Sequence, residues 1–156
     1  MLRPVQASAY TFRDIIAGGF VYVDKTRVIY ELVRYNKGAY FLARPRRFGK
    51  SLLVSTLNEL FRGQRELFQG LWITGSDYAW QPHPVVHIDF SRYQIGSADE
   101  LKDAIGRHTR QIGQEYGVGL ADGPFDALFS ELILRLARER QVVVLIDEYD
   151  KPILDN

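Results

Sequence analysis

The stretch AYFLARPRRFGKS, residues 39–51, decides how the rest of the chain is read. Ala39 to Ala43 is a short, nearly all-apolar run, the pattern of a strand buried on both faces. A basic loop follows, Arg44-Pro-Arg-Arg-Phe-Gly-Lys-Ser51. Helical spacing then resumes over Ser51–Arg62 through Leu53, Leu57, Leu60 and Phe61, and stops at Gly63. Strand, glycine-bearing loop and helix in that order are the setting a phosphate-binding loop requires. Successive backbone N–H groups from Arg46 through Arg47, Phe48 and Gly49 to Lys50 would form an anion-binding nest at a helix N-terminus. Gly49 lets the main chain approach phosphate without a Cβ clash. Lys50 would reach the β- and γ-phosphates, and the Ser51 hydroxyl would bind Mg²⁺. One position departs from the pattern G-x-x-x-x-G-K-[ST]: Arg44 stands where the first glycine belongs. A solvated basic loop capping a helix, with an incidental Gly-Lys-Ser, competes with the phosphate site.

A second motif lies downstream. Val142-Val-Val-Leu-Ile-Asp-Glu148 places two carboxylates at the end of the most apolar run in the chain. In an open parallel sheet, ligands bind beyond the carboxyl ends of the strands. Asp147 is therefore expected at the same edge as the basic loop, where it can hold Mg²⁺ through a water. Glu148 can orient and deprotonate an attacking water. A solvated turn capping a final helix is the plainer alternative.

Between and around these motifs the pattern alternates. Thr11 is suited to cap a short helix that Gly18–Gly19 ends, and Phe20–Val23 reads as a brief extended piece. Asp24 is expected to cap a helix that buries Val28, Ile29, Leu32 and Val33 and closes at Gly38. Residues 64–84 are irregular, with Trp72 and Trp80 expected to pin them to the core. Val85–Phe90 reads as a second buried strand. Ser97-x-x-Glu100 is a capping box opening a helix with Leu101, Ala104, Ile105, His108 and Ile112 on one face. Pro124 suits a first helical position before Phe125, Leu128, Leu132, Ile133 and Leu136. Strands alternating with helices argue for a parallel sheet covered on both faces.

Composition bounds the function. At 156 residues, 46% hydrophobic and 25% charged, the chain is one domain's length of ordinary globular composition. It has no cysteine, which excludes disulfides, zinc–thiolate sites and thiol nucleophiles. It has no apolar run long enough to span a membrane and no signal-peptide core, so a cytoplasmic location is expected. The net charge of +1 gives no support to nonspecific nucleic-acid binding. That balance hides an asymmetry: residues 1–70 carry twelve Lys/Arg against five Asp/Glu, and residues 71–156 carry eight against fourteen.

The segments TFRDIIAGGFVYVDKT (11–26), YFLARPRRFGKSLLVSTLNELFRG (40–63), LFQGLWI (67–73), VVHIDFS (85–91) and VVVLIDEYDKPILDN (142–156) together resemble the AAA-ATPase-like family of bacterial P-loop proteins. Arg44 in place of the first glycine is normal for that family. The resemblance implies one three-layer α/β/α P-loop domain of the additional-strand type over residues 1–156, with a mostly parallel sheet. Its Walker A motif is 44–51 and its Walker B motif 142–148. It implies ATP and Mg²⁺ as cofactors, Lys50 and Ser51 as phosphate and magnesium residues, Asp147 as the second magnesium residue and Glu148 as the base. Longer members add a PD-(D/E)XK nuclease-like domain; no residues here correspond to it. Members also carry a further strand between the two motif strands, so this chain is expected to be the N-terminal part of the domain, with weak or absent turnover. The expected function is Mg²⁺-dependent ATP binding and hydrolysis coupled to an attached or separate effector module. A non-hydrolysing, nucleotide-dependent interaction module is the alternative.

Other residues have plainer roles. Asp89, at a strand end, either supports the metal or caps the chain that follows. Arg46 and Arg47 add charge beside phosphates or are simply solvated. Lys25 approaches nucleotide or merely accompanies the Asp24 cap. Phe12 and Ile15 suit core packing better than adenine walls. His83 and His87 lack helical geometry for a shared metal, and His108 reads as a satisfied core residue.

Overall fold

A computed structural model describes residue 4 and residues 11–35, 38–45, 47–93 and 96–151; Arg46 lies outside the described residues. The chain divides into two compact units, Met1–Pro82 and His83–Asn156.

The first unit contains α1 (Phe12–Ala17), α2 (Thr26–Val33) and α3 (Lys50–Phe61), followed by 3₁₀ turns at Arg65–Phe68 and Trp72–Gly75. Thr11 caps α1 as expected: its hydroxyl accepts from Asp14 N–H, and the Asp14 carboxylate accepts from Thr11 N–H in return. Six residues are too few for a self-supporting helix, so α1 depends on docking. It docks on α3. Phe12 N–H donates to Ser55 Oγ at 2.9 Å, and Arg13 forks onto Glu59 at 3.2 and 2.7 Å. Phe12, Ile29, Leu60, Phe68 and Ile73 form the core of this unit. Phe12 and Ile15 are therefore packing residues, as their apolar setting suggests.

The Asp24 carboxylate accepts from Thr26 N–H at 2.8 Å, Thr26 Oγ1–H at 2.6 Å and Trp72 N–H at 2.7 Å. Thr26 Oγ1 in turn accepts from Ile73 N–H. Burial pushes the Asp24 pKa up, but these donors outweigh it and hold the carboxyl below its usual range. Asp24 thus straps residues 72–73 to the start of α2. Three expectations need correction here. Phe68 and Ile73 anchor the irregular segment, whereas Trp72 is largely exposed, with Tyr30 edge-on at 5.6 Å and Arg27 over its ring at 5.9 Å. Val28 faces outward rather than into the core. Residues 39–43 do not form a doubly buried strand: they carry no strand assignment, and Phe41 is 74% exposed. An apolar run becomes a strand only where another strand satisfies its backbone.

The second unit contains β1 (Val85–Asp89), a 3₁₀ turn (Phe90–Arg92), α4 (Ala98–Glu115), α5 (Phe125–Leu136) and β2 (Val143–Asp147). β1 and β2 pair in parallel, with Val85 opposite Val143 and Asp89 opposite Asp147. Parallel strands joined through helices make this an α/β arrangement. Val86 and Ile88 pack with Ile112, Leu132 and Leu136 from the two helices. Ser97 caps α4 through Glu100 N–H, but the Glu100 carboxylate reaches Gly96 N–H rather than closing a box. The buried line of α4 is Gly106, Thr109, Ile112 and Gly113, rotated from the line of large apolar residues. Gly113 permits close approach, since a Cβ there would lie 2.8 Å from the Val118 carbonyl oxygen. On β2, Val144 is 42% and Ile146 51% exposed. No helix among the described residues is long and apolar enough to cross a membrane.

Candidate functional site

In the first unit, α3 begins at Lys50 behind Gly49, whose φ of 77° is left-handed. Gly49 offers no side-chain cap, and the first turn carries no acidic residue. Among the described residues no side chain caps the start of α3, the arrangement that favours an anion. Arg47 also holds a left-handed φ of 66°, a costly setting for a residue with a Cβ. The Lys50 ammonium donates to the carbonyls of Arg44 at 2.8 Å and Pro45 at 3.2 Å. The loop thus curls back over its own lysine. An ammonium has three N–H donors, and these two carbonyls take two of them. Arg47, Phe48, Gly49 and Ser51 are exposed.

In the second unit, Asp147 ends β2 and is 7% exposed. Its Oδ1 accepts from Glu148 N–H at 3.0 Å. Glu148 has a left-handed φ of 53°. Among the described residues, Arg47, Trp80 and Glu148 are the non-glycine residues with positive φ, so two of the three strained positions fall in the two motifs. Asp89 and Asp147 are register partners and lie on one sheet face at the carboxyl ends of their strands. Asp89 caps the turn after β1, accepting from Ser91 N–H at 2.9 Å and from Arg92 Nε at 3.2 Å. Lys151 reaches the same turn, donating from Nζ to Ser91 O at 3.0 Å. Sequence reasoning gave Ser91, Arg92 and Lys151 no role. Only the repeated charge in LIDEYDKP hinted at Lys151, because its acceptor is sixty residues away.

The structure thus brings Lys50 together with the carbonyls of its own loop, and Asp147 together with Glu148. The two motifs belong to different compact units. Lys25 is exposed at the start of α2. Among the described residues no three His, Asp or Glu side chains gather as a metal cluster. His83 Nδ1 sits 3.0 Å from Gln141 O.

His108 is satisfied as expected, with Nδ1 2.7 Å from Tyr93 Oη. His87 lies on the same sheet face as Asp89, and its buried Nε2 has no hydrogen-bond partner among the described residues. Burial lowers both pKa values; for His87, Asp89 and Asp147 oppose this while Arg92 and His108 add to it. For His108, Arg92 lowers further and Glu115 and Asp89 oppose. Both histidines therefore fold neutral and charge more readily when unfolded. The unfolded chain binds more protons, so stability holds above the ordinary histidine pKa and is lost as pH falls below it. Denaturant unfolding from pH 7.5 to 5.5 (about one unit either side of the unperturbed value of ~6.5) is expected to show a slope of at most about 1.4 kcal/mol per pH unit for each histidine. A flat profile would refute this.

The sequence pattern of a family described as "Predicted AAA-ATPase" (AAA-ATPase-like) matches residues 7–156. A curated relative, "Uncharacterized protein in vnfD 5'region" of Azotobacter chroococcum mcd 1, is 43% identical over 150 residues. The match takes in 94% of this chain and 29% of the relative, so the chain spans less than a third of that relative's length. No solved structure matches. The matched span contains the curled lysine loop, the Asp-Glu strand end and every helix described above, and the chain therefore belongs to the AAA-ATPase-like family.

Proposed function

We propose that the chain binds Mg·ATP and hydrolyses its β–γ bond. The observation that carries this is the loop at 44–50: a left-handed Arg47 and Gly49, an uncapped helix start, and a lysine gathered in by two loop carbonyls. These features fit a polyphosphate, because they supply main-chain donors, a cation and room for close approach. Hydroxyl and carboxylate oxygens at Ser51 and Asp147 fit magnesium, a hard cation that keeps several waters and needs few protein ligands. When bound, the ion neutralises charge on the phosphates. Lys50, with the N–H groups of Arg46 to Lys50, holds the phosphate oxygens and stabilises charge developing on them. Glu148 takes a proton from water as its oxygen bonds to the γ-phosphorus and the β–γ bridging oxygen departs with ADP.

This function implies a P-loop fold of three layers and the additional-strand type, working in the bacterial cytoplasm and driving an effector module. Its test is titration calorimetry of the chain with Mg·ATP and Mg·GTP. Saturable single-site heat with Mg·ATP is expected, with an affinity in the range of roughly 1 μM to 1 mM typical of such ligands. Absence of heat with millimolar Mg·ATP would sink the proposal.

A further inference from the structure

We infer that Lys151 is a positioning residue for Glu148, acting through the Ser91 carbonyl. This rests on Glu148 serving as the water-activating base. Glu148 occupies a left-handed conformation that side-chain-bearing residues keep only where the surroundings over-determine it. Three bonds bear on this turn. Glu148 N–H donates to Asp147 Oδ1 at 3.0 Å, Lys151 N–H donates to Glu148 O at 3.0 Å, and Lys151 Nζ donates to Ser91 O at 3.0 Å. The first two stay within the turn and fix its shape. The third leaves it and fixes its place against the end of β1.

The anchor is itself held. Asp89 accepts from Ser91 N–H and from Arg92 Nε, so the 3₁₀ turn at Phe90–Arg92 is fastened to the strand that carries it. Asp89 and Asp147 are register partners, which sets the two strand ends level. The resulting chain runs from Asp89 to Ser91, to the Lys151 ammonium, and through the turn to Glu148. A charged donor suits the task, because hydrogen bonds from an ionised group are shorter and stronger than neutral ones. An acid–base group displaced by a fraction of its hydrogen-bond length loses much of its effect.

The test compares the wild-type chain with Lys151→Met, which keeps the stem and removes the donor, and Lys151→Arg, which restores a donor. Turnover, Mg·ATP affinity, melting and amide hydrogen exchange at residues 148–151 without nucleotide are measured together. For Lys151→Met, kcat is expected to fall about tenfold or more with Kd changed by no more than about twofold, and the Glu148 and Lys151 amides should exchange faster. Lys151→Arg should recover most of both. Unchanged exchange, unchanged kcat, a loss of affinity equal to the loss of kcat, or no recovery with arginine each overturns the inference. A wild type that binds Mg·ATP without turnover removes the base role of Glu148 and this inference with it. A wild type that binds no Mg·ATP instead overturns the nucleotide proposal, and amide exchange alone then decides whether Lys151 holds the turn.

Discussion

Replacing Lys50 by alanine is expected to abolish detectable Mg·ATP binding while leaving the fold intact. Alanine is the best helix former, so the first turn of α3 keeps its backbone. The substitution removes the ammonium and with it the bonds to the Arg44 and Pro45 carbonyls that curl the loop. Affinity then falls for two reasons. A charge-assisted bond to phosphate, worth about 1.5–3 kcal/mol, disappears, and the loop is no longer held ready. The combined loss is about a hundredfold or more in Kd, at 1.4 kcal/mol per tenfold. Calorimetry of Lys50→Ala beside the wild type measures it. An affinity within about threefold of wild type would show that Lys50 does not touch the ligand. A large drop in melting temperature would show that the lysine serves the fold instead.

Glu148→Gln is the complementary case: binding is expected to survive and turnover to vanish. The amide preserves size and the backbone bond from residue 148 to Asp147 Oδ1, but cannot accept a proton from water. General-base catalysis contributes about 10²–10⁴-fold, and a loss of that size is expected in kcat. Phosphate release under saturating Mg·ATP is the measurement. A variant as active as wild type would strip Glu148 of its role. Binding without turnover in both proteins would favour a nucleotide-dependent interaction module in which ATP only fixes a conformation.

Much of the local structure was legible because short-range signals decided it. Thr11 and Ser97 announced helix starts that their side chains do cap. Leucine spacing marked α3, and the apolar runs at 85–90 and 142–146 became the parallel pair. Asp89 caps the chain that follows it, the plainer of its two expected roles. What failed depended on partners remote in sequence. The apolar run at 39–43 looks the same on paper whether or not a neighbouring strand exists. Nothing local told Phe68 from Trp72 as the anchor of its segment; Asp24 and Thr26, nearly fifty residues earlier, set that geometry through the main chain. The α4 face turned toward two glycines and a threonine because close helix approach, not side-chain bulk, fills that contact. For the site, residue types at each motif were readable, whereas the left-handed backbone at Arg47 and Glu148 and the reach of Lys151 were not.

The twist at Arg47 and Glu148 also bears on how this protein would evolve under heat. Glycine adopts such backbone angles freely, so a laboratory selection that rewarded thermal endurance alone would favour it at both places. Each gain would delete a charge from a motif, and at residue 148 it would delete the carboxylate proposed to draw a proton from water. If the proposed roles hold, robustness and chemistry pull in opposite directions at these two positions.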